Sequence, residues 1–302
     1  MLIEGPRPPR ILVTGRNGQL GWELAQAFAP LGDVHAFDRD ALDLTDSDAI
    51  RRCCQEIKPA LILNAGAYTA VDRAELEPEL AIQINSAAPR VLAEEANRLG
   101  ATLIHYSTDY VFSGEATTPY REDDDTSPQN VYGTTKLAGE QAVIDTADRF
   151  LVFRTSWVYA ARRQNFLLTM LRLARQREEL RVVSDQIGSP TWVRTLGEVT
   201  RASVNDRASL AIVGGIYHVS ASGRTSWHGF AEAILAATPD ANRIAKRVVP
   251  ISTADFPTPA KRPAFSVLAN QKIEFATKTP VPSWQAQLAA CVASQEMKHQ
   301  PQ

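Results

Sequence analysis

"RILVTGRNGQLGWEL", residues 10–24, decides the reading of this chain. An apolar run ends at Gly15, and Gly18 and Gly21 follow as a helical pattern begins with Gln19 and Leu20. A strand that turns through glycines into a helix gathers backbone N–H groups and the positive end of the helix dipole at one point. That is a cradle for a pyrophosphate. Glycine makes the tight turn and lets the backbone approach the phosphate. The spacing here is G-x-x-G-x-x-G, not the G-x-G-x-x-G of the usual dinucleotide fingerprint. Its weight comes from its place, between the first strand and the first helix of an alternating chain.

Working outward, the first half alternates apolar runs with helical patterns: "DVHAFD", "DSDAIRRCCQEIKP", "ALILNAGA", "PELAIQINSAAPRVLAEEANRLG", "TLIHYSTD", "KLAGEQAVIDTA" and "RFLVFRTSWVY". This rhythm predicts right-handed crossovers and an α/β fold, a doubly wound parallel sheet of the Rossmann type. The strands read as unbroken apolar runs, as strands covered on both faces should. Beyond about residue 160 the rhythm loosens and prolines gather in "FPTPAKRP" and "TKTPVPSW", which predicts a smaller, mixed, substrate-binding lobe. The expected division is 8–160 for dinucleotide binding, joined by part of 190–215, with 161–302 mainly the substrate lobe. The tail "SQEMKHQPQ" is expected to fray.

The 302 residues are ample for such a core, and 44% hydrophobic with 22% charged residues is the balance of a soluble globular protein. A net charge of −2 without a basic block argues against nucleic acid as a partner. No apolar run approaches the length of a membrane span, and "MLIEGPRPPR" lacks the pattern of a signal peptide, so a cytoplasmic protein is expected. Cys53, Cys54 and Cys291, sparse and odd in number, fit a reducing compartment and a packing role.

The second strand ends in "VHAFDRD". Asp38 lies seventeen residues after Gly21, near the distance for an acid that accepts from an adenosine ribose. Arg39 beside it can instead neutralise a 2′-phosphate, with Arg16 in the glycine loop as a helper, so NADH and NADPH both stay open. Asp43 and Leu44 in "LDL" are read either as neighbours of the adenine or as an ordinary surface loop. In "NVYGTTK", Tyr132 and Lys136 stand four apart and so share one helix face. Ser107, Thr108 and Asp109 fall where another strand ends, the side of an open parallel sheet on which ligands bind.

At this point "TGRNGQLG", "NAGAYTAVDRAE", "STDYVFSG", "YGTTK" and "RTSWVY", in this order, resemble the extended short-chain dehydrogenase/reductases, and within them the dTDP-4-dehydrorhamnose reductase family. The likeness continues through "DQIGSPT" and "FPTPAKRPAFSVL" and covers nearly the whole chain. It implies reduction of the 4-keto group of dTDP-4-dehydro-L-rhamnose to dTDP-L-rhamnose, with hydride from NADPH or NADH. It also implies Tyr132 as proton donor, Thr108 as a second hydrogen bond to the same oxygen, and Lys136 as the group that poises the phenol and holds ribose hydroxyls. An ammonium about 4 Å away at an effective dielectric of 20 is worth about 4 kcal/mol, which predicts a phenol lowered by roughly 3 pH units. Ala67, Tyr68, Thr69 and Tyr106 match positions beside the cofactor, and Asp109 and Trp157 match substrate contacts, with Trp157 read otherwise as a core aromatic. Arg262 either pairs with the diphosphate or caps a loop, and Trp192 is read as packing.

No metal set is legible. His35, His105, His218, His228 and His299 are scattered and are read as core or surface residues, and "REDDD" as a solvated loop. Some relatives hold magnesium between subunits through glutamates. Glu23 matches one such position, but a second falls on Arg194, a departure that puts magnesium in doubt. A homodimer is compatible with the resemblance. Two other functions stay open: another nucleotide-sugar reductase or epimerase, and a non-catalytic subunit like the regulatory one of methionine adenosyltransferase.

Overall fold

The computed structural model describes residues 8–239 and 241–298; His299 and the tail after it lie outside the described residues, as do the first seven residues. The chain divides into two compact units. The first takes the chain up to Ser107, then Thr135–Phe153 and Gly197–Tyr217; the second takes Thr108–Thr134, Arg154–Leu196 and the chain from His218 onward.

The first unit is built on β1 (Arg10–Thr14), α1 (Gln19–Phe28), β2 (Asp33–Phe37), α2 (Ser47–Ile57), β3 (Leu61–Asn64), α3 (Ala88–Leu99), β4 (Thr102–Thr108), α4 (Val131–Thr146) and β5 (Phe150–Thr155). With Gly215–His218 these strands form one six-stranded sheet, in the order Gly215–His218, β5, β4, β3, β1, β2. β1 pairs in parallel with β2 and β3, and β3 with β4. The chain thus leaves β1 to one side for β2 and returns to its other side for β3. That reversal is the switch point beside which ligands of open α/β sheets bind. Thr14 and Asn64 are paired there, at the carboxyl ends of β1 and β3.

Every residue of β3 and β4 is buried, as the unbroken apolar runs predict for strands covered on both faces. α2 and α3 close one face through Ile50, Cys54, Val91, Leu92 and Ala96, which pack on Leu12, Ile62 and Leu103. α2 begins at Asp46, whose carboxylate accepts from the amides of Asp48 and Ala49, both at 2.9 Å. α3 ends at Gly100 in the left-handed region, φ 65°. Cys54 is core, and burial pushes its thiol up to about 12, in keeping with a packing role.

In the second unit, Glu179–Val183 pairs in parallel with Arg247–Ile251. The helices Phe166–Ala174 and Trp227–Ala237 pack through a run of rings, with Trp157 stacked on Trp227 at 3.5 Å and Phe166 against both Trp227 and Phe230. Residues 109–134 hold no strand, only a short 3-10 turn at Asp109–Val111 and the start of α4, so the rhythm of the chain says little about where they pack. Their own contacts decide it: Tyr120 stacks on Phe112 at 4.2 Å, and its amide donates to the Val267 carbonyl at 2.9 Å. Gln295–Lys298, in the tail expected to fray, forms a helical turn. Among the described residues no helix is long and apolar enough to cross a membrane.

Candidate active site

The glycine turn has the form the sequence predicts. Gly15 sits at φ 74°, and a Cβ there would lie 2.9 Å from the Gly66 backbone at the end of β3. A Cβ at Gly21 would stand 2.1 Å from the Gly15 carbonyl oxygen, so the helix can start against its own turn only with glycine. Gly18 caps α1 with no side-chain hydrogen bond over the first amides, and the first turn has no acid. The backbone donors and positive dipole there face no competing carboxylate on the helix itself. Gln19 and Leu20 open α1 at this turn.

At the end of β2, Asp38 accepts from the Asn17 side chain at 2.5 Å and from the Ala41 amide at 3.2 Å. The acid at the end of β2 is thereby tied to the glycine loop. The sequence analysis passed over Asn17, whose only signal is its place inside that loop. Asp43 takes up the Thr45 amide and hydroxyl, both at 2.9 Å, and these bonds lead in holding its carboxyl below the ordinary range. Arg39 reaches Asp43 at 4.0 Å from an exposed position. Asp43 therefore shapes its own turn, and Leu44 packs beside Gly66, where an added Cβ would meet it at 2.6 Å.

Ala67, Tyr68 and Thr69 follow β3. Asn85 clamps the Tyr68 backbone from both sides, accepting from its amide at 2.9 Å and donating to its carbonyl at 3.1 Å. The Tyr68 phenol donates to Glu77 at 2.6 Å. Asn85 lies in a π-helical turn, Gln83–Ala87, that no sequence pattern announces. Its amide also donates to Thr135 at 3.1 Å, at the start of the part of α4 that belongs to this unit.

Lys136, one turn after Tyr132 on α4, is buried. Its ammonium donates to the Tyr106 carbonyl at 2.6 Å and lies 3.3 Å from His105 Nε2. Burial brings it down to about 8, while Glu140 acts the other way. Tyr106 supplies that carbonyl; its phenol is turned into the core at 2.9 Å from the Thr200 hydroxyl.

The second unit carries the hydroxyls. Thr108 closes β4, donates to Asp109 Oδ1 at 3.0 Å and accepts from the Tyr110 amide at 3.2 Å. Its side chain also hydrogen-bonds the Tyr132 phenol. The Tyr132 ring meets Tyr110 edge-on at 5.5 Å, and Arg262 donates to the Tyr110 hydroxyl at 3.0 Å. Asn130 starts α4 by accepting from the Gly133 amide at 2.8 Å and anchors it by donating to the Lys261 carbonyl at 2.8 Å. A Cβ at Gly133 would stand 2.3 Å from the Tyr110 carbonyl oxygen, so glycine lets Tyr132 approach Thr108.

One electrostatic expectation is reversed. The Tyr132 phenol is raised above its ordinary value, first by burial and then by Asp109 and Tyr110, with Thr108 opposing. Loss of hydration penalises the phenolate, and the carboxylate next door repels it. The Lys136 ammonium meanwhile donates to the Tyr106 carbonyl and lies 3.3 Å from His105 Nε2. Burial likewise pushes Asp109 up to about 6, against hydrogen bonds from Ser266, Thr108 and two backbone amides.

Trp157 holds φ 47°, rare for a residue with a side chain, with its ring flat on Trp227 and against Gly188. Trp192 is core, under the Arg194 guanidinium at 4.6 Å. The magnesium reading fails on residues. Arg194 donates to Glu296 at 2.6 Å, a cation where that site needs a carboxylate, and Glu23 lies on α1 against Gly197. Among the described residues no group of three or more acids, histidines or cysteines could hold a metal.

A switched parallel sheet, a glycine turn at its switch point, and a threonine at a strand end with a tyrosine and lysine one helical turn apart define an extended short-chain dehydrogenase/reductase. The chain belongs to the family described as RmlD substrate binding domain, which matches residues 9–297. It is 47% identical over 291 residues to the dTDP-4-dehydrorhamnose reductase of Burkholderia thailandensis, covering 94% of this chain and 98% of that one. To the Escherichia coli K12 protein of the same name it is 44% identical, covering 91% and 94%. The crystal structure of the Bacillus anthracis dTDP-4-dehydrorhamnose reductase in complex with NADP superposes with a TM-score of 0.88 at 38% identity, over 94% of this chain and 98% of that one.

Proposed function

We propose that this chain reduces the 4-keto group of dTDP-4-dehydro-L-rhamnose to dTDP-L-rhamnose, using NADPH or NADH, in the cytoplasm. The observation that carries the reading is the Tyr132 phenol hydrogen-bonded to Thr108 on a helix that also bears the buried cation Lys136. The named relatives supply the substrate.

The residues at the glycine turn fit a dinucleotide. Backbone amides at Gln19 and Leu20 would hold the pyrophosphate, Asp38 with Asn17 the adenosine ribose, and Lys136 the nicotinamide ribose. When bound, the nicotinamide supplies the hydride. Everything else falls to the protein. Charge develops on the substrate oxygen as the carbonyl is reduced, and Tyr132 donates a hydrogen bond to it together with Thr108, whose hydroxyl turns to it from Asp109. Tyr132 then gives up its proton. A phenol raised above its ordinary value is fully protonated at neutral pH, the state a donor needs in the reductive direction. Lys136, near 8, is mostly cationic at neutral pH and favours the negative charge that passes to the phenol. Asp109, Arg262 and the uncovered edge of Trp157 would orient the sugar nucleotide.

The test is cofactor oxidation with dTDP-4-dehydro-L-rhamnose against a panel of other 4-keto nucleotide sugars, with the product identified by NMR. Turnover specific to the rhamnose precursor is expected. Turnover on another sugar alone would move the assignment within the superfamily. Tight cofactor binding with no turnover on any of them would favour a regulatory subunit.

A further inference from the structure

Within the second unit, Trp157 stands in the left-handed region at φ 47°. A residue with a β-carbon is strained there, because the side chain crowds the following carbonyl, and the strain persists only where the surroundings over-determine it. The flanking backbone is docked on both sides. The Ser156 hydroxyl donates to the Ser189 carbonyl at 3.0 Å, and the Trp157 carbonyl accepts from the Thr191 amide at 3.2 Å. Val158–Tyr159 then pairs in parallel with Thr191–Trp192. Between these anchors the positive φ redirects a single side chain, the Trp157 indole.

That ring meets two neighbours. It lies on the Trp227 ring at 3.5 Å with 2° between the planes, and a Cβ at Gly188 would stand 2.4 Å from it. One short antiparallel ladder supplies both, pairing Thr225 with Gly188 and Ser226 with Ile187. Ser226 then caps the helix Trp227–Ala237 by accepting from the Gly229 amide at 3.0 Å, so Trp227 leaves the ladder as the first helical residue. Phe166 meets Trp227 at 4.6 Å, tilted by 44°. Trp157 and Trp227 are both half-buried. A pair that served only to remove apolar area from water would be covered and unstrained, whereas this one keeps part of a strained indole at the surface.

We propose that Trp227 is a positioning residue for Trp157: stacked on it, with Gly188 leaving room for the ring, it holds the indole in the one pose that meets the sugar nucleotide. The proposal rests on the substrate contact given to Trp157 above. Without the stack the indole samples several poses, and affinity for the sugar falls with the fraction of molecules in the competent one. The loss lands on binding. Bound substrate holds the pose itself, so the chemical step is spared.

The test joins steady-state kinetics on dTDP-4-dehydro-L-rhamnose to fluorine NMR of the full-length protein labelled with fluorotryptophan. The chain has five tryptophans, and the Trp157 signal is assigned by its loss in Trp157→Phe. In Trp227→Leu the sugar KM is expected to rise about tenfold, with kcat and the NADPH Kd within about twofold. The Trp157 signal should leave its wild-type position as the ring current of the stack is lost. Trp227→Phe, which returns a ring, is expected to recover most of the KM. Gly188→Ala, whose Cβ displaces the indole from a different element, should raise KM in the same way. A folded Trp227→Leu protein with the wild-type KM, where Trp157→Ala raises it, would overturn the positioning role. If Trp227→Leu does not fold, the wild type decides: one narrow Trp157 signal is expected before sugar is added, and several exchanging signals would overturn the proposal. An unchanged KM in Trp157→Ala would instead remove the substrate contact on which the proposal rests.

Discussion

Asp109 offers a prediction that does not depend on the reaction. Its carboxyl sits near 6 in the folded chain against an ordinary value of 3.8, mainly because burial penalises the anion. The folded state therefore binds more protons than the unfolded chain between these values, and stability falls as pH rises through that window and then levels off. A difference of roughly two units is worth about 3 kcal/mol above pH 7 and about 1 kcal/mol near pH 4.5. Asp109→Asn keeps the shape of the protonated acid and cannot ionise. It should be more stable than wild type by that pH-dependent amount: about 1 kcal/mol near pH 4.5, rising to about 3 kcal/mol at pH 8. Urea unfolding of both proteins across this range measures the difference. Two curves separated by a constant gap would refute the reasoning, because they would mean that Asp109 ionises alike in both states. The same variant should lose turnover, since a carboxylate kept charged at a stability cost beside Thr108 and Tyr132 is expected where substrate is held.

Tyr132→Phe removes only the phenolic proton and its bond to Thr108, so turnover should fall by at least about a hundredfold with cofactor affinity unchanged; near-normal turnover in a folded sample would eliminate Tyr132 as the acid. Lys136→Met should weaken both rate and cofactor binding, and unchanged affinity by fluorescence titration would exclude the ribose role. Asp38→Ala should move preference towards NADPH and Arg39→Ala towards NADH. Like charges about 5 Å apart differ from about fourfold in affinity at the dielectric of water to about a hundredfold at 20, and the half-buried position of Asp38 beside the exposed Arg39 sets the effect between these limits. The ratio of kcat/KM for the two cofactors reads it, and a ratio that neither variant moves would place the ribose contact elsewhere. Gly21→Ala should abolish cofactor binding or folding, because its Cβ would stand 2.1 Å from a backbone oxygen that no side-chain motion can clear; a folded variant with normal affinity would contradict the glycine-turn geometry.

Much of this was legible in the chain itself. Unbroken apolar runs determined strands covered on both faces, and glycines between the first strand and first helix determined the dinucleotide turn. Such features depend on neighbours a few residues apart, which a linear reading captures. Tyr132 and Lys136 belonged to the same class, being one helical turn apart. What local spacing does not carry is the partner of each polar group. His105 read as a core histidine, and its contact with Lys136 exists because β4 and α4 pack together. Asn85 clamps Tyr68 from a π turn, and Asp43 accepts from its own Thr45. The phenol pKa is the sharpest case. Sequence placed an ammonium near Tyr132 and implied a lowered value, whereas burial and the Asp109 carboxylate raise it. Ionisation is set by everything within a few ångströms in three dimensions, and only the tertiary structure decides what that is.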